Sequence, residues 1–187
     1  MSGASIEFPV EGLSDGVVRL RLAAEKDIPA LVEACQDPAV QRFTTVPHPY
    51  GPDDARSFHE TAAAGLGDGT ALHVVTVDSD TDELLGNAGI RRHHTDAGRW
   101  DIGYLVAPWA RGRGVATRAV ELLCRFGFAE LGAERIEICA EPSNEASMRV
   151  AERAGFTREG LLRRYQAVKG VRRDMVMYSL LSGELRS

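Results

Sequence analysis

The chain has 187 residues, 44% of them hydrophobic, and its 22 basic and 27 acidic residues give a formal net charge of −5. This length and hydrophobic share are typical of one domain with a buried core. The negative charge argues against nucleic-acid binding, because proteins of that class present a basic surface. No apolar run is long enough to span a bilayer, and the first residues lack a signal-peptide pattern, so we predict a cytoplasmic protein without membrane contact.

Three cysteines, Cys35, Cys124 and Cys139, lie in apolar stretches and lack the spacing of a metal site. We expect them to be reduced core residues, as is usual for a cytoplasmic protein. The sequence therefore predicts no bound metal.

The hydrophobic pattern predicts elements in the order β-αα-βββ-α-β-α-ββ. The predicted strands are residues 16–23, 71–78, 84–93, 100–108, 135–142, 157–160 and 172–181. The predicted helices are residues 25–34, 55–66, 113–131 and 144–154, with a short helical turn near Pro38 and a tight turn at 95–98. This order is typical of an α+β domain, with a mostly antiparallel sheet and helices on its faces. We predict a single domain over 1–187, with a core at 16–181 and a flexible segment at 1–15.

The stretch APWARGRGVA, residues 107–116, connects a predicted strand to a predicted helix. Successive N–H groups of Arg111, Gly112, Arg113 and Gly114 would converge there with the positive end of the helix dipole. Such a turn favours a phosphate group, and Gly114 leaves room for it. The alternative is a plain strand-to-helix connection.

The spacing Arg111-x-x-Gly114-x-Ala116 resembles the pyrophosphate loop of the GNAT acetyltransferases. Four stretches in the same order resemble the RimJ/RimL-like subfamily, which acetylates the N-terminal amino groups of ribosomal proteins. They are QRFTTVPHPYGPDDA, DIGYLVAPWARGRGVATRA, SNEASMRVAERAGFTREG and KGVRRDMVMYSLL. The resemblance extends from Gly16 to Leu181 and implies a GNAT fold with acetyl-CoA as the donor.

The resemblance also implies where acetyl-CoA binds. The pyrophosphate is expected on the backbone of the loop, and the pantetheine arm along the strand at 104–106. A backbone N–H of Leu105 or Val106 would stabilise the oxyanion. Asn144 is expected to cap the following helix and to contact the pantetheine. The predicted cofactor-binding residues are Leu105, Val106, Arg111, Gly112, Arg113, Gly114, Val115, Ala116 and Asn144.

Ser147 is the predicted acid that protonates the departing CoA thiolate. Many acetyltransferases of this fold use a tyrosine one turn further along the helix, where this chain has Ala151. The subfamily has serine at the position of Ser147. The alternative is an ordinary exposed serine in the first turn of a helix.

Asp101 is the leading candidate for the base that deprotonates the acceptor amine, because the subfamily usually has an acid there. The alternative is a surface acid paired with Arg99 or Arg91. Glu83 is a weaker candidate, and the roles of His73 and His93 stay open.

The acceptor is expected between the loop at 43–50 and the last strands, with Tyr50 and Tyr165 binding it. Phe43 and His48 lie in the same loop, and Phe43 is expected to seal the core beneath it. The acceptor is a primary amine, either a protein N-terminal α-amine or a small molecule such as an antibiotic or a polyamine. A CoA-binding protein without turnover is the alternative from another functional class. A homodimer is expected from the subfamily and from oligomer statistics.

Overall fold

The computed structural model describes residues 5–185 of the chain. Its strands are β1 (Leu13–Ser14), β2 (Val18–Arg21), β3 (Ala71–Asp78), β4 (Leu84–His93), β5 (Asp96–Val106), β6 (Arg135–Ala140), β7 (Thr157–Val168) and β8 (Val171–Leu181). Its α-helices are α1 (Ile28–Cys35), α2 (Pro38–Phe43), α3 (Pro52–Asp68), α4 (Val115–Glu130) and α5 (Glu145–Arg153).

The strands form one sheet in the order β1-β2-β3-β4-β5-β6-β8-β7. Neighbours are antiparallel except for β5 and β6, which are parallel. These two strands pair only through residues 99–101 and 135–137 and then separate, which leaves a gap in the middle of the sheet. The register therefore places the separation directly after Asp101 and Glu137.

Helices cover both faces of the sheet. Along β3, Leu72 and Val74 belong to the main core together with residues of α4. The alternate residues Val75 and Val77 pack against Leu31 of α1, and alternate side chains of a strand point to opposite faces. The predicted α+β class is therefore confirmed.

Gly127 allows α4 to pack closely against the sheet. A Cβ atom at this position would lie 2.8 Å from Ile90 Cδ1 and 3.0 Å from Ile136 Cδ1. The helix is thereby held against β4 and β6, and it begins immediately after the turn that follows β5. The start of α4 thus faces the region where β5 and β6 separate.

Several predicted boundaries were wrong. The short helical turn predicted near Pro38 is the six-residue helix α2, which Asp37 caps by accepting hydrogen bonds from the N–H groups of Ala39 and Val40. The turn before β5 is shorter than expected, because the strand already begins at Asp96. The penultimate strand reaches Val168 instead of Gly160. It is an edge strand, joined to β8 by the two-residue turn Lys169–Gly170. Its many charged residues face solvent, and they obscure the alternation of apolar and polar residues from which a strand is predicted.

The segment preceding β2 is packed, contrary to the flexible segment expected at 1–15. Ile6 is 8% exposed and belongs to the main core, and its N–H donates to the carbonyl of Leu66 at 2.9 Å. Leu13 and Ser14 pair with β2. Residues 1–4 lie outside the described residues.

Within residues 5–185, no helix is long and apolar enough to cross a membrane. The same part of the chain contains no cluster of three or more His, Cys, Asp or Glu side chains arranged to hold a metal ion.

Candidate active site

A cleft of about 1520 Å³ lies where β5 and β6 separate. One part is lined by the start of α4 and by β5, and another by the segment after α2, by α3 and by the β7–β8 hairpin. The cleft thus offers space for two molecules that meet beside the gap in the sheet.

The start of α4 has the features of an anion site. Gly114 is the N-cap residue with φ 75°, and Gly112 has φ 76°, so both adopt the left-handed conformation that favours glycine. No side chain caps the helix, and its first hydrogen bond runs from Arg118 N–H to the Gly114 carbonyl at 3.1 Å. The N–H groups of the first turn therefore have no helical acceptor and are available to a ligand.

The arginine side chains of this loop are engaged by acids of neighbouring elements. Arg111 forms a two-pronged ion pair with Asp37, the residue that caps α2. This guanidinium is the main reason that the pKa of Asp37 is lowered. Arg113 Nη2 lies 3.4 Å from an oxygen of Asp78, at the end of β3. These pairs tie the loop to its surroundings through its side chains and leave its backbone to an anion.

The register of β4 and β5 identifies the backbone groups of β5 that face the gap. The N–H of Ala107 donates to the Leu85 carbonyl at 2.9 Å, and Val106 is paired with Gly86. Val106 and Gly86 are therefore a non-hydrogen-bonded pair, and Val106 directs its N–H and carbonyl away from β4. Leu105 directs its N–H and carbonyl toward β4. Of the two residues predicted to stabilise the oxyanion, Val106 is therefore the one whose N–H is free to donate.

Ser147 lies in the first turn of α5. Its N–H donates to Asn144 Oδ1 at 3.2 Å, which confirms Asn144 as the N-cap. Its Oγ lies 2.8 Å from the hydroxyl of Tyr104 on β5, and the same hydroxyl donates to the Ser147 carbonyl at 3.2 Å. Burial raises the pKa of Tyr104 to about 12. The pair joins β5 to α5 across the gap.

Asp101 lines the cleft and is ion-paired with Arg91. Arg91 Nε and Nη2 lie 3.2 and 3.0 Å from the two carboxylate oxygens, and the Asp101 side chain is 39% exposed. This geometry matches the alternative interpretation of Asp101, a surface acid paired with Arg91. Its role as the base stays a prediction.

The other candidate bases occupy different positions. Glu83 is exposed in the turn between β3 and β4 and does not line the cleft. His73 lines it with its ring against Phe58, at a centroid distance of 5.1 Å, and burial is the main reason that its pKa is lowered. His93 is also at the cleft and stacks on His94.

The predicted acceptor residues differ in burial. Tyr50 is 8% exposed and packs in a small cluster with Val40, and burial raises its pKa to about 12. Tyr165 is 44% exposed on β7. Both line the cleft, as does the half-buried Phe43, whereas the exposed His48 does not.

Residues 18–157 match the family model of the acetyltransferase (GNAT) domain. The chain belongs to the GNAT acetyltransferase family. This confirms the predicted family and enzyme class, an N-acetyltransferase, and the eight-stranded sheet with its helices is a GNAT fold.

Individual relatives agree with the family match. The chain is 32% identical over 165 residues to "Uncharacterized N-acetyltransferase p20" of Bacillus licheniformis, which covers 88% of this chain and 93% of that one. It is 43% identical over 84 residues to "Putative ribosomal N-acetyltransferase YdaF" of Bacillus subtilis, 45% of this chain and 46% of that one. RimJ of Mycobacterium smegmatis, solved in complex with CoA-disulfide, superposes with a TM-score of 0.82 at 26% identity and covers 94% of this chain and 87% of that one.

Sequence reasoning missed two side chains of this GNAT cleft. Tyr104 was considered only for its backbone, although its hydroxyl contacts Ser147. Glu141, which directly precedes Pro142, is 8% exposed and lines the cleft. The signal for Glu141 was an acid that directly follows the apolar residues Cys139 and Ala140, a context in which carboxylates are rarely buried without a partner.

Proposed function

We propose that this GNAT family member transfers the acetyl group of acetyl-CoA to a primary amine by direct attack in a ternary complex. The observation that carries the proposal is the uncapped start of α4 beside a strand whose edge is free at Val106, with Ser147 across the same gap. A phosphate site, a peptide-like edge and a hydroxyl donor are the three features that an acetyl-CoA thioester requires.

In this proposal the donor extends along the cleft from the loop to the gap. The pyrophosphate accepts hydrogen bonds from the backbone of residues 111–116, and the pantetheine pairs with the edge of β5 near Asn144. The Val106 N–H stabilises the oxyanion that forms when the amine attacks the thioester carbonyl.

Ser147 then donates a proton to the departing thiolate. Tyr104 supports this step, because its hydroxyl lies 2.8 Å from Ser147 Oγ and can turn its single proton from the Ser147 carbonyl to that oxygen, which stabilises the charge left there. A serine hydroxyl by itself is a poor acid, so we assign Ser147 and Tyr104 to the acid function as a pair.

A covalent acetyl-enzyme is not part of the proposal. Cys35 and Cys139 both line the cleft, and burial raises the pKa of each thiol to about 11. A thiol is a weak nucleophile while it is protonated. Direct attack by the amine requires no such intermediate.

The proposed acceptor is the α-amine of a protein N-terminus, and small-molecule amines are the alternative. The name of YdaF supports the former. The arginines that pair with the cleft acids Asp101 and Glu137 also disfavour a polycation such as a polyamine. The homodimer and the cytoplasmic location stay predictions.

An acceptor panel tests the proposed function. Thiol release from acetyl-CoA is measured with N-terminal peptides of ribosomal proteins, polyamines and aminoglycosides, and acetyl-CoA binding is measured by calorimetry. We expect turnover with the peptides. Turnover with only another class would reassign the acceptor, and acetyl-CoA binding without any turnover would favour a CoA-binding protein.

Replacing Tyr104 with phenylalanine is expected to lower kcat about fivefold and to leave acetyl-CoA affinity unchanged, because one neutral hydrogen bond to Ser147 contributes about 1 kcal/mol. Since the pKa of Tyr104 is raised to about 12, the pair stays protonated and wild-type kcat should not fall up to about pH 10. Steady-state kinetics across pH test both expectations. An unchanged kcat in Tyr104→Phe would remove the tyrosine from the acid function.

A further inference from the structure

Glu141 lies just beyond the end of β6, where that strand has separated from β5. Its side chain is 9% exposed, yet its carboxylate has only a loose partner, Arg173 Nη1 of β8, at 3.5 Å from Oε2. Its other oxygen, Oε1, is buried and has no hydrogen-bond partner in residues 5–185. Buried polar atoms are normally paired, so an unpaired carboxylate oxygen beside a cleft indicates a ligand.

Two other acids that line the cleft, Asp101 and Glu137, are already occupied. Both oxygens of Asp101 are held by Arg91. Both oxygens of Glu137 accept from Arg99 at 3.0 and 3.1 Å, and one also accepts from Arg135 at 2.6 Å. Of these three carboxylates, only that of Glu141 has an oxygen available to a new donor.

The chemistry of Glu141 Oε1 matches a cationic donor. Arg173 approaches the other carboxylate oxygen only to 3.5 Å, so this ion pair is loose and leaves room for a stronger partner. An ammonium group carries three N–H donors and a positive charge, and it is the form in which an amine arrives at neutral pH.

The position of Glu141 suits an amine that attacks the thioester. The Asn144 N–H donates to the Glu141 carbonyl at 2.8 Å, so the loop 141–144 connects Glu141 directly to the start of α5. Ser147 lies in the first turn of that helix, and both side chains line the cleft. The charged and titratable groups near this corner include Arg173 of β8, Tyr165 of β7, Cys139 and Glu137 of β6, Asp101 of β5, and Arg42 of α2, which donates to Ser143 Oγ at 3.3 Å.

We propose that Glu141 Oε1 binds the ammonium group of the acceptor and accepts its proton. This inference rests on the proposed function and assigns to Glu141 the role that the sequence assigned to Asp101. The carboxylate takes one proton from the ammonium, and the nitrogen lone pair then forms the bond to the thioester carbon.

The remaining steps balance without another reactant. The tetrahedral intermediate loses its second N–H proton and breaks the carbon–sulfur bond, and the departing sulfur is protonated by Ser147 and Tyr104. That second proton returns to the hydroxyl pair, and Glu141 releases the first to solvent. The products are the amide, CoA thiol and one proton.

The test is Glu141→Gln, which keeps the shape of the side chain and removes its charge. With an α-amine acceptor at pH 7, we expect kcat/KM for the acceptor to fall about 100-fold or more, as for a lost general base. Acetyl-CoA affinity should stay unchanged. Glu130→Gln is the matched control, because Glu130 is exposed on α4, outside the cleft lining, and loses the same charge.

The pH profile separates this role from a structural one. Wild-type kcat/KM should be flat between pH 7 and the pKa of the amine, about 8, because the Glu141 carboxylate takes its proton from the ammonium form. The variant can use only the neutral amine, so its kcat/KM should rise about tenfold per pH unit up to that pKa, and the defect should shrink at high pH. An aromatic amine is neutral at pH 7 and should react with both wild type and Glu141→Gln. Glu141→Asp keeps a carboxylate and should partly restore the flat profile.

Two results would overturn the inference while the enzyme stays an acetyltransferase. One is a Glu141→Gln variant that keeps the wild-type kcat/KM and the flat pH profile. If Asp101→Asn then changed that profile, the role of the base would return to Asp101. The other is an equal loss at every pH that Glu141→Asp does not relieve, because that indicates a structural role. If wild type binds acetyl-CoA but acetylates no amine, the proposed function fails and this inference fails with it.

Discussion

Replacing Gly114 with valine should lower acetyl-CoA affinity by more than about 100-fold while the protein stays folded. A Cβ at Gly114 meets no protein atom within 4 Å, so the space beside it is open toward the cleft. Valine would occupy the space that the pyrophosphate needs and hold it away from the N–H groups of α4. The loss of two charge-assisted hydrogen bonds, each about 1.5–3 kcal/mol, corresponds to this fall in affinity.

The left-handed conformation of Gly114 complicates this substitution, because a residue with a Cβ pays about 1–2 kcal/mol to adopt it. Gly132 provides the matched control. It follows α4 with φ 64°, a Cβ at this position would also meet no protein atom within 4 Å, and the residue does not line the cleft. Gly132→Val should therefore lose similar stability and keep acetyl-CoA binding.

Calorimetry with acetyl-CoA and thermal unfolding measure the two effects separately. If Gly114→Val binds acetyl-CoA as wild type does, the loop at 111–116 is not the pyrophosphate site. If Gly132→Val loses binding equally, the loss in Gly114→Val reflects strain in the fold and not the blocked site.

The glycine-rich loop could be predicted from the sequence because its chemistry is local. Two left-handed glycines and the start of a helix lie within five residues, and their N–H groups converge whatever the rest of the chain does. Strands β3 and β4 were predicted to the residue for a similar reason, since turn residues bound each of them on both sides.

The contacts that complete the candidate site depend on distant parts of the chain. Tyr104 and Ser147 are 43 residues apart and meet only because α5 packs beside the separated end of β5. The difference between Asp101 and Glu141 depends on which arginine each acid meets, Arg91 on the adjacent strand or Arg173 on β8. A sequence shows that these acids exist but not which of their oxygens is left unpaired.

Replacing Ser147 with alanine should lower kcat about 10- to 100-fold and leave the dissociation constant of acetyl-CoA unchanged. A general acid commonly raises the rate about 100-fold or more, but a thiolate is a good leaving group that departs without much help. We therefore expect a loss of at most about 100-fold. The fold should tolerate the change, because the Tyr104 hydroxyl keeps the carbonyl of residue 147 as acceptor and the Asn144 cap uses the backbone N–H.

Ser143→Ala is the control for this experiment, because Ser143 is exposed just before α5 and does not line the cleft. The double variant with Tyr104→Phe should be hardly slower than Ser147→Ala alone, since the tyrosine acts through the serine and the two effects are then not additive. Additive losses would mean that Tyr104 reaches the thiolate independently. Wild-type kcat in Ser147→Ala would exclude the serine as the acid and leave the thiolate to be protonated by solvent.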